Sequence, residues 1–244
     1  MQLKTKGIVL SETPYSETSK ILNILTEDFG LIGVISKGCK GLKSKLRGIS
    51  NKMNYGEYTI NYKENSLSTL IEGNTLNSFK DIYHDMRKAM YSFYIMDLVN
   101  QVLKENNTKE IFPLLEQSLI KINEGLSPEL ISNILEINLL KYLGVSINLD
   151  SCIHCGKEND FLTVDASNGG IVCKDCYEEG YLFNPKALRL LCLLNKINLA
   201  KLEKLEITDY AIFKEIDDFI HEYYAHYTGI YLKDKNNLLN FDIV

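Results

Sequence analysis

Residues 152–176 read CIHCGKENDFLTVDASNGGIVCKDC and hold two Cys-x-x-Cys pairs, with the seventeen residues 156–172 between them. A four-cysteine zinc site has roughly fifteen to twenty residues between its pairs. Each pair turns two thiolates toward one point, and two pairs complete a tetrahedron with each sulfur about 2.3 Å from the metal. The spacing therefore predicts one structural Zn²⁺, held by Cys152, Cys155, Cys173 and Cys176.

Turn residues in the same stretch predict its shape. Gly156 follows the first pair, where a tight knuckle favours a residue without a Cβ atom. Between the pairs, Asn168-Gly169-Gly170 is typical of a hairpin turn. We therefore expect a small two-knuckle ribbon at about residues 149–180, closed by the metal.

Other interpretations of the cysteines stay open at this point. Two disulfides would suit a secreted chain, and a thioredoxin-like redox motif would need one pair to open a helix in a βαβ unit. His154 could replace a cysteine as ligand, or the motif could be a metal-free remnant. Catalytic zinc is disfavoured because four thiolates leave no open coordination position.

Length and composition indicate an ordinary globular protein. The 244 residues suffice for one or two domains with a sizeable core, and 45% are hydrophobic against 24% charged. The N-terminus has no uninterrupted apolar segment typical of a signal peptide, and no apolar run approaches the roughly 18 residues that span a bilayer. We expect a cytoplasmic protein, without a membrane partner, in which Cys39 and Cys192 are ordinary small residues.

Charge is distributed unevenly along the chain. The formal net charge is −5, yet residues 1–52 hold nine Lys or Arg against four acidic residues. Such asymmetry is more informative than the sum, because nucleic acid attracts a local basic surface. Any nucleic-acid contact is therefore expected in the first part of the chain.

Short runs rich in β-branched and aliphatic residues fill the first 75 residues, at 3–10, 18–26, 31–37, 57–63 and 66–72. Five short strands with one long glycine-rich connection predict an OB-type β-barrel domain over residues 1–78. Tyr58 and Tyr62 alternate with polar residues, which predicts that both line the barrel. The alternative is that they stack on bases, as aromatic residues of such barrels do.

The long connection is residues 36–52, SKGCKGLKSKLRGISNK, which has three glycines, no acidic residue and six basic ones: Lys37, Lys40, Lys43, Lys45, Arg47 and Lys52. Its glycine and lysine spacing does not match a phosphate-binding loop. A solvated loop without a partner is one interpretation. The other, which we favour, is a mobile or irregular loop whose cations contact phosphates and release counterions.

From residue 79 the apolar period changes to three or four residues, which predicts an α-helical domain over 79–244. Ser127-Pro128, Asn184-Pro185 and Thr208 are typical helix starts. The zinc ribbon then reads as an insert in this domain, giving an α+β protein overall. No nucleophile elbow, His-Glu-x-x-His or dinucleotide motif is present, so we do not expect an enzyme.

Residues 7–38, GIVLSETPYSETSKILNILTEDFGLIGVISKG, together with the lysine-rich loop and the four cysteines, resemble the RecO family of bacterial DNA repair and recombination proteins. The resemblance implies binding of single- and double-stranded DNA, annealing of complementary strands, and help to RecR in loading RecA onto DNA coated by single-strand-binding protein. It also implies association with the nucleoid and, in the helical domain, a pocket for the acidic C-terminal tail of single-strand-binding protein.

The resemblance also assigns site residues. Lys37, Lys40, Lys43, Lys45 and Arg47 fall on the family's basic loop, and the four cysteines on its zinc ligands. Many relatives have arginines in this loop, whereas lysine gives less geometric phosphate contacts. The alternatives are a zinc-ribbon module that binds protein or RNA without annealing, and a redox enzyme that uses the Cys-x-x-Cys pairs.

Overall fold

The computed structural model describes residues 1–64, 66–205, 207, 209–233 and 235. They form two compact units, Met1–Asn123 and Glu124–Val244. The first unit holds a five-stranded barrel and three helices, and the second holds three helices and a two-stranded ribbon. The predicted α+β class is confirmed, while the division into domains after residue 78 stays a prediction.

The barrel consists of β1 (Gln2–Pro14), β2 (Lys20–Thr26), β3 (Gly30–Ser36), β4 (Tyr55–Asn61) and β5 (Ser68–Asn77). Its strand order is β1-β2-β3-β5-β4, and β4 pairs back onto β1 from Ile8↔Tyr55 to Gln2↔Asn61. All pairings are antiparallel except β3 with β5, which is parallel and joins only Val34 to Ser68 and Ile35 to Thr69. The ring is therefore closed most weakly between β3 and β5, as in the partly open OB-type barrel.

Alternation along the strands fills the barrel with apolar side chains, among them Val9, Leu22, Ile24, Val34, Ile60 and Leu70. Tyr58 is fully buried with them, and its hydroxyl donates to the backbone oxygen of Asn54 at 3.1 Å. Burial raises the pKa of this hydroxyl. Tyr58 therefore lines the barrel as predicted and cannot stack on a base.

The same prediction is wrong for Tyr62. It lies beyond the end of β4, is only half-buried, and stacks on Phe29 with ring centroids 5.9 Å apart. Alternation fails here because the strand ends at Asn61, so side-chain direction no longer follows the pleat.

Three helices complete the first unit: α1 (Lys80–Tyr83), α2 (Met86–Glu105) and α3 (Phe112–Asn123). Asp85 caps α2 by accepting from the backbone N–H of Lys88 at 3.1 Å. Near α3, Asn107 pairs with β3, accepting from the N–H of Leu31 at 2.7 Å and donating to its carbonyl at 3.1 Å. This amide occupies the place of a neighbouring strand at the start of β3.

The second unit begins with α4 (Pro128–Leu139), continues through β6 (Phe161–Asp165) and β7 (Gly170–Cys173), and ends with α5 (Pro185–Leu194) and α6 (Tyr210–Tyr227). Ser127 and Asn184 cap their helices with proline at the first position, as predicted. Asp209 caps α6 by accepting from Ala211 N–H; the predicted start at Thr208 lies outside the described residues. Among the helices described, none is both long and apolar enough to cross a membrane.

A close approach inside the barrel makes glycine necessary at position 56. A Cβ atom there would collide with Ile49 Cδ1 and would lie 2.7 Å from the carbonyl oxygen of Asn74. We predict that Gly56→Ala destabilises the protein by about 1–3 kcal/mol, the usual cost of overpacking. Urea denaturation followed by circular dichroism measures this.

Gly48→Ala is the matched control, because its added methyl meets no atom within 4 Å. There, restricting the unfolded chain should leave stability equal or raise it by up to about 1 kcal/mol. Equal midpoints for the two variants would contradict the close approach at Gly56.

Candidate nucleic-acid interface and candidate metal centre

The segment between β3 and β4, residues 37–54, is built from successive turns. The backbone N–H groups of Gly41, Ser44 and Arg47 each donate to the carbonyl three residues earlier, at 3.1–3.2 Å. Gly38 has φ 68°, a conformation that favours glycine, and begins this run. The segment is irregular, as predicted, but its backbone has a continuous set of hydrogen bonds.

One side of this segment is anchored in the barrel. Ile49 is 3% exposed and belongs to the barrel core, and Leu46 packs against that core. Met53 is fully buried, and its N–H donates to the carbonyl of Val9 at 2.8 Å. The segment therefore plugs one end of the barrel while its polar residues remain at the surface.

Four of the cations on this segment are exposed: Lys37, Lys43, Lys45 and Arg47. Within the described part of the chain, no carboxylate lies within ion-pair distance of any of them. Lysines on the barrel strands differ: Lys4 pairs with Glu57 at 2.8 Å and Lys20 with Glu12 at 2.9 Å. Positive charge is therefore left uncompensated on the segment and largely neutralised on the strands.

The other two cations of the segment have structural partners. Lys40 is half-buried, and its Nζ donates to the carbonyl of Ser16 at 2.7 Å. Lys52 pairs with Asp97 at 3.0 Å and lies over the ring of Phe93, 5.0 Å from its centroid. Among the predicted DNA-contact residues, Lys40 therefore differs from the four exposed cations, because its side chain already has a partner within the described part of the chain.

An aromatic side chain missed in the sequence lies next to this surface. Tyr15, in the β1–β2 loop, is 59% exposed. Its loop is tied to the basic segment, because the N–H of Lys40 donates to the carbonyl of Thr18 at 3.0 Å and that of Gly38 to Ser19 Oγ at 3.3 Å. Its position in the polar run SETPYSETS, outside any alternation, was the signal that could have identified it.

In the second unit, the ribbon brings the two cysteine pairs together. β6 and β7 are antiparallel, with Asp165 opposite Gly170 at the turn and Phe161 opposite Cys173 at the far end. At the first knuckle the N–H of Gly156 donates to the carbonyl of Cys152 at 2.8 Å, with φ 74° at the glycine. The hairpin and the knuckle therefore form where the turn residues predicted them.

The four cysteine sulfur atoms all lie within 4.8 Å of one another. The four side chains are free thiols, so the disulfide alternative is not supported, and His154 is not part of the group. Cys152 and Cys173 are buried, whereas Cys155 is exposed. The cysteines are positioned to bind a metal ion.

Electrostatics at the cluster favour a cation. Burial opposes ionisation of Cys152, but backbone N–H groups, first that of Cys173, outweigh it and lower the pKa of this thiol to about 6. Hydrogen bonds with Cys155 and Cys173 raise the pKa of Cys176 to about 12. The thiolate form of Cys152 is thus stabilised by its neighbours, and thiolate is the form of cysteine that binds a metal ion.

The sequence as a whole matches one family. Residues 1–79 match the family model Recombination protein O N terminal, and residues 83–236 match Recombination protein O C terminal. The DNA repair protein RecO of Bacillus pumilus is 33% identical over 239 residues, covering 96% of this chain and 93% of the relative. The proteins of the same name from Bacillus subtilis and Listeria monocytogenes serotype 4b are each 31% identical, covering 98% of this chain and 94% of the relative. The chain therefore belongs to the RecO family of DNA repair proteins.

Proposed function

We propose that this protein is a non-enzymatic recombination mediator that binds single- and double-stranded DNA without sequence specificity and anneals complementary strands. The observation that carries the proposal is a set of four exposed cations, without an ion-pair partner among the described residues, on a segment anchored to an OB-type barrel. Lysine and arginine bind phosphate and release counterions, a contribution that does not depend on base sequence. Such a surface holds a DNA backbone without reading it.

The charge arrangement also suggests how annealing is promoted. Two single strands repel each other through their phosphates, and neutralising part of that charge lowers the barrier to pairing. The segment supplies its cations from turns rather than from a helix in a groove, which suits a flexible strand. Tyr15 adds a stacking surface beside the cations, open to any base.

The protein partners proposed are RecR and single-strand-binding protein, in a pathway that loads RecA onto coated DNA in the nucleoid-containing cytoplasm. A cavity of about 910 Å³ in the second unit supports the second partner. Leu188 and Phe161 supply apolar lining. The charged lining of the cavity is Lys174, Arg189 and Lys196 against Glu158 and Asp150, and Asp150 pairs with Lys196 at 2.7 Å, so the lining keeps a small excess of positive charge that suits an acidic tail with apolar residues.

One experiment tests the mediator function: annealing of fluorescent complementary strands, free or coated by single-strand-binding protein. We expect this protein to accelerate annealing in both cases, and to lose its effect on coated strands when the coating protein lacks its acidic tail. Absence of annealing, with equal affinity for DNA and RNA, would instead support a zinc-ribbon interaction module.

We propose that Cys152, Cys155, Cys173 and Cys176 hold one structural Zn²⁺. The donor set supports this identity, because four cysteine sulfur atoms within 4.8 Å of one another are the ligands typical of structural zinc and would leave no open position for catalysis. When bound, the ion would fasten the two knuckles of the ribbon. Its contribution is to folding of the second unit.

The contribution of the basic segment can be measured by salt dependence. We predict that Lys43→Ala with Lys45→Ala weakens single-strand binding and reduces the slope of log affinity against log salt by about 1.4, since each lost phosphate contact removes about 0.7. Lys4→Ala with Lys6→Ala is the control of equal charge, because Glu57 and Glu27 already pair with those lysines. Equal slopes for the two double variants would exclude the segment as the DNA contact.

Tyr15 separates stacking from charge in the same assay. Tyr15→Ala should weaken single-strand binding about tenfold or more at every salt concentration while leaving the slope unchanged, because stacking contributes about 1–3 kcal/mol per base. Tyr15→Phe keeps the ring and should bind like the original protein. If the alanine variant binds equally well, Tyr15 does not contact bases.

The zinc proposal predicts about one zinc ion per chain in purified protein by elemental analysis. Cys173→Ser should lose the metal and lower the melting temperature of the second unit, because metal binding is coupled to ribbon folding. Cys192 lies outside the cluster, so Cys192→Ser should keep both the bound zinc and the original melting temperature. Full zinc retention in Cys173→Ser would contradict the ligand set, and thiol turnover without zinc would support the redox alternative.

A further inference from the structure

A cavity of about 950 Å³ in the second unit is lined by β6, by residues 175–183 and by one face of α6. Seven carboxylates line this cavity, and we therefore call it the acidic groove. They are Asp165, Asp175, Glu178, Glu179, Glu215, Asp218 and Glu222. No lysine or arginine is among the described residues that line it. Its apolar wall includes Phe183 and Phe219, whose rings meet edge to face with centroids 6.0 Å apart.

Hydrogen bonds fix part of this groove in place. Glu215 Oε1 accepts from the hydroxyl of Tyr181 at 2.7 Å and from the backbone N–H of Asn184 at 2.8 Å. Asp165 accepts from the N–H of Asn168 at 3.0 Å and from its side-chain amide at 2.8 Å. These carboxylates are thus held in fixed positions before any partner arrives.

Neighbouring lysines neutralise only some of the carboxylates that line the groove. Lys157 pairs with Asp175 at 2.9 Å, and Lys214 pairs with Asp218 at 2.5 Å. Four other carboxylates of the groove have no lysine, arginine or histidine within ion-pair distance in the described ranges. They are Asp165, Glu178, Glu179 and Glu215. Several like charges around one cavity repel each other, and they also repel a phosphate backbone. The groove therefore favours a positively charged ligand and disfavours DNA.

Aromatic side chains make the groove suitable for long cationic side chains. Tyr181 is 69% exposed and its ring lies 6.3 Å from that of Phe183. Arginine and lysine place their aliphatic stems against such rings while their charged ends reach carboxylates. Glu178 and Glu179 are exposed on the connection just before Tyr181, within the same groove.

We propose that the acidic groove binds a lysine- and arginine-rich segment of a partner protein. Charge complementarity and the aromatic wall identify this ligand, and both belong to the second unit alone. The proposal therefore does not depend on DNA binding by the barrel and its basic segment. In a mediator, it would allow a basic partner to be held while the basic segment is occupied by DNA.

The test measures binding of a fluorescently labelled peptide to the full chain by fluorescence anisotropy, at about 150 mM salt. The peptide has ten residues, in which arginine or lysine alternates with glycine. Glu178→Gln with Glu179→Gln should weaken binding about tenfold, because two charge pairs are lost without loss of any hydrogen bond in the groove. Tyr181→Ala should weaken it at unchanged charge, and Tyr181→Phe should weaken it less.

Glu105→Gln with Glu203→Gln is the matched control, since both residues are exposed and neither lines the groove. It should change affinity by less than about twofold. Equal weakening by the control would mean that the peptide responds only to net charge, and the proposal would be wrong. Salt-sensitive self-association that the groove variants abolish would also overturn it, because the occupant would then be a second copy of this chain. Single-strand DNA affinity, measured in parallel, should be the same for all variants.

Discussion

The packing of Ile49 into the end of the barrel is the contact on which the proposed DNA surface depends. Ile49 reaches over Gly56 and Gly73, two positions where a Cβ atom would meet its side chain. The Tyr58 hydroxyl, in the barrel interior, shares its one hydrogen between the carbonyl oxygens of Asn54 at 3.1 Å and Ile49 at 3.3 Å. A segment without helix or strand thereby gains a buried anchor. Without it, a chain with six cations and three glycines has little apolar surface to offset the entropy of ordering.

This anchor divides the segment into two functions. Buried residues such as Cys39 and Ile49 stabilise the barrel, and three of the cations between them, Lys43, Lys45 and Arg47, stay in solvent. Because the strand lysines are already paired with glutamates, the field of the barrel is concentrated at one end. The chain carries a formal net charge of −5, yet this surface is positive. The distribution of charge along the chain, rather than its sum, therefore supports the proposed DNA contact.

The second unit combines a cysteine cluster with an acidic groove. Its four thiols are drawn together by two knuckles and a hairpin, and they leave no position open for chemistry. The ribbon between the cysteine pairs also forms one wall of the acidic groove, through β6 and through Cys176, which lines the groove itself. Opposite charges are thus collected on separate units of one chain. Under the two proposals this separation keeps a DNA surface and a surface for basic segments apart, because a mixed surface would bind neither well.

Much of this architecture was determined by the sequence. The alternation in the strands, the Ser-Pro and Asn-Pro helix starts and the cysteine spacing depend on residues close together in the chain, so the five strands, two helix caps and the metal cluster could be predicted. Only the tertiary structure decided which cations are available. Lys40 and Lys52 look like their neighbours in the sequence, but Ser16 and Asp97 engage them from distant positions. The exposure of Tyr15, the exit of Tyr62 from its strand and the convergence of seven carboxylates on one groove likewise depend on contacts between residues far apart in the chain.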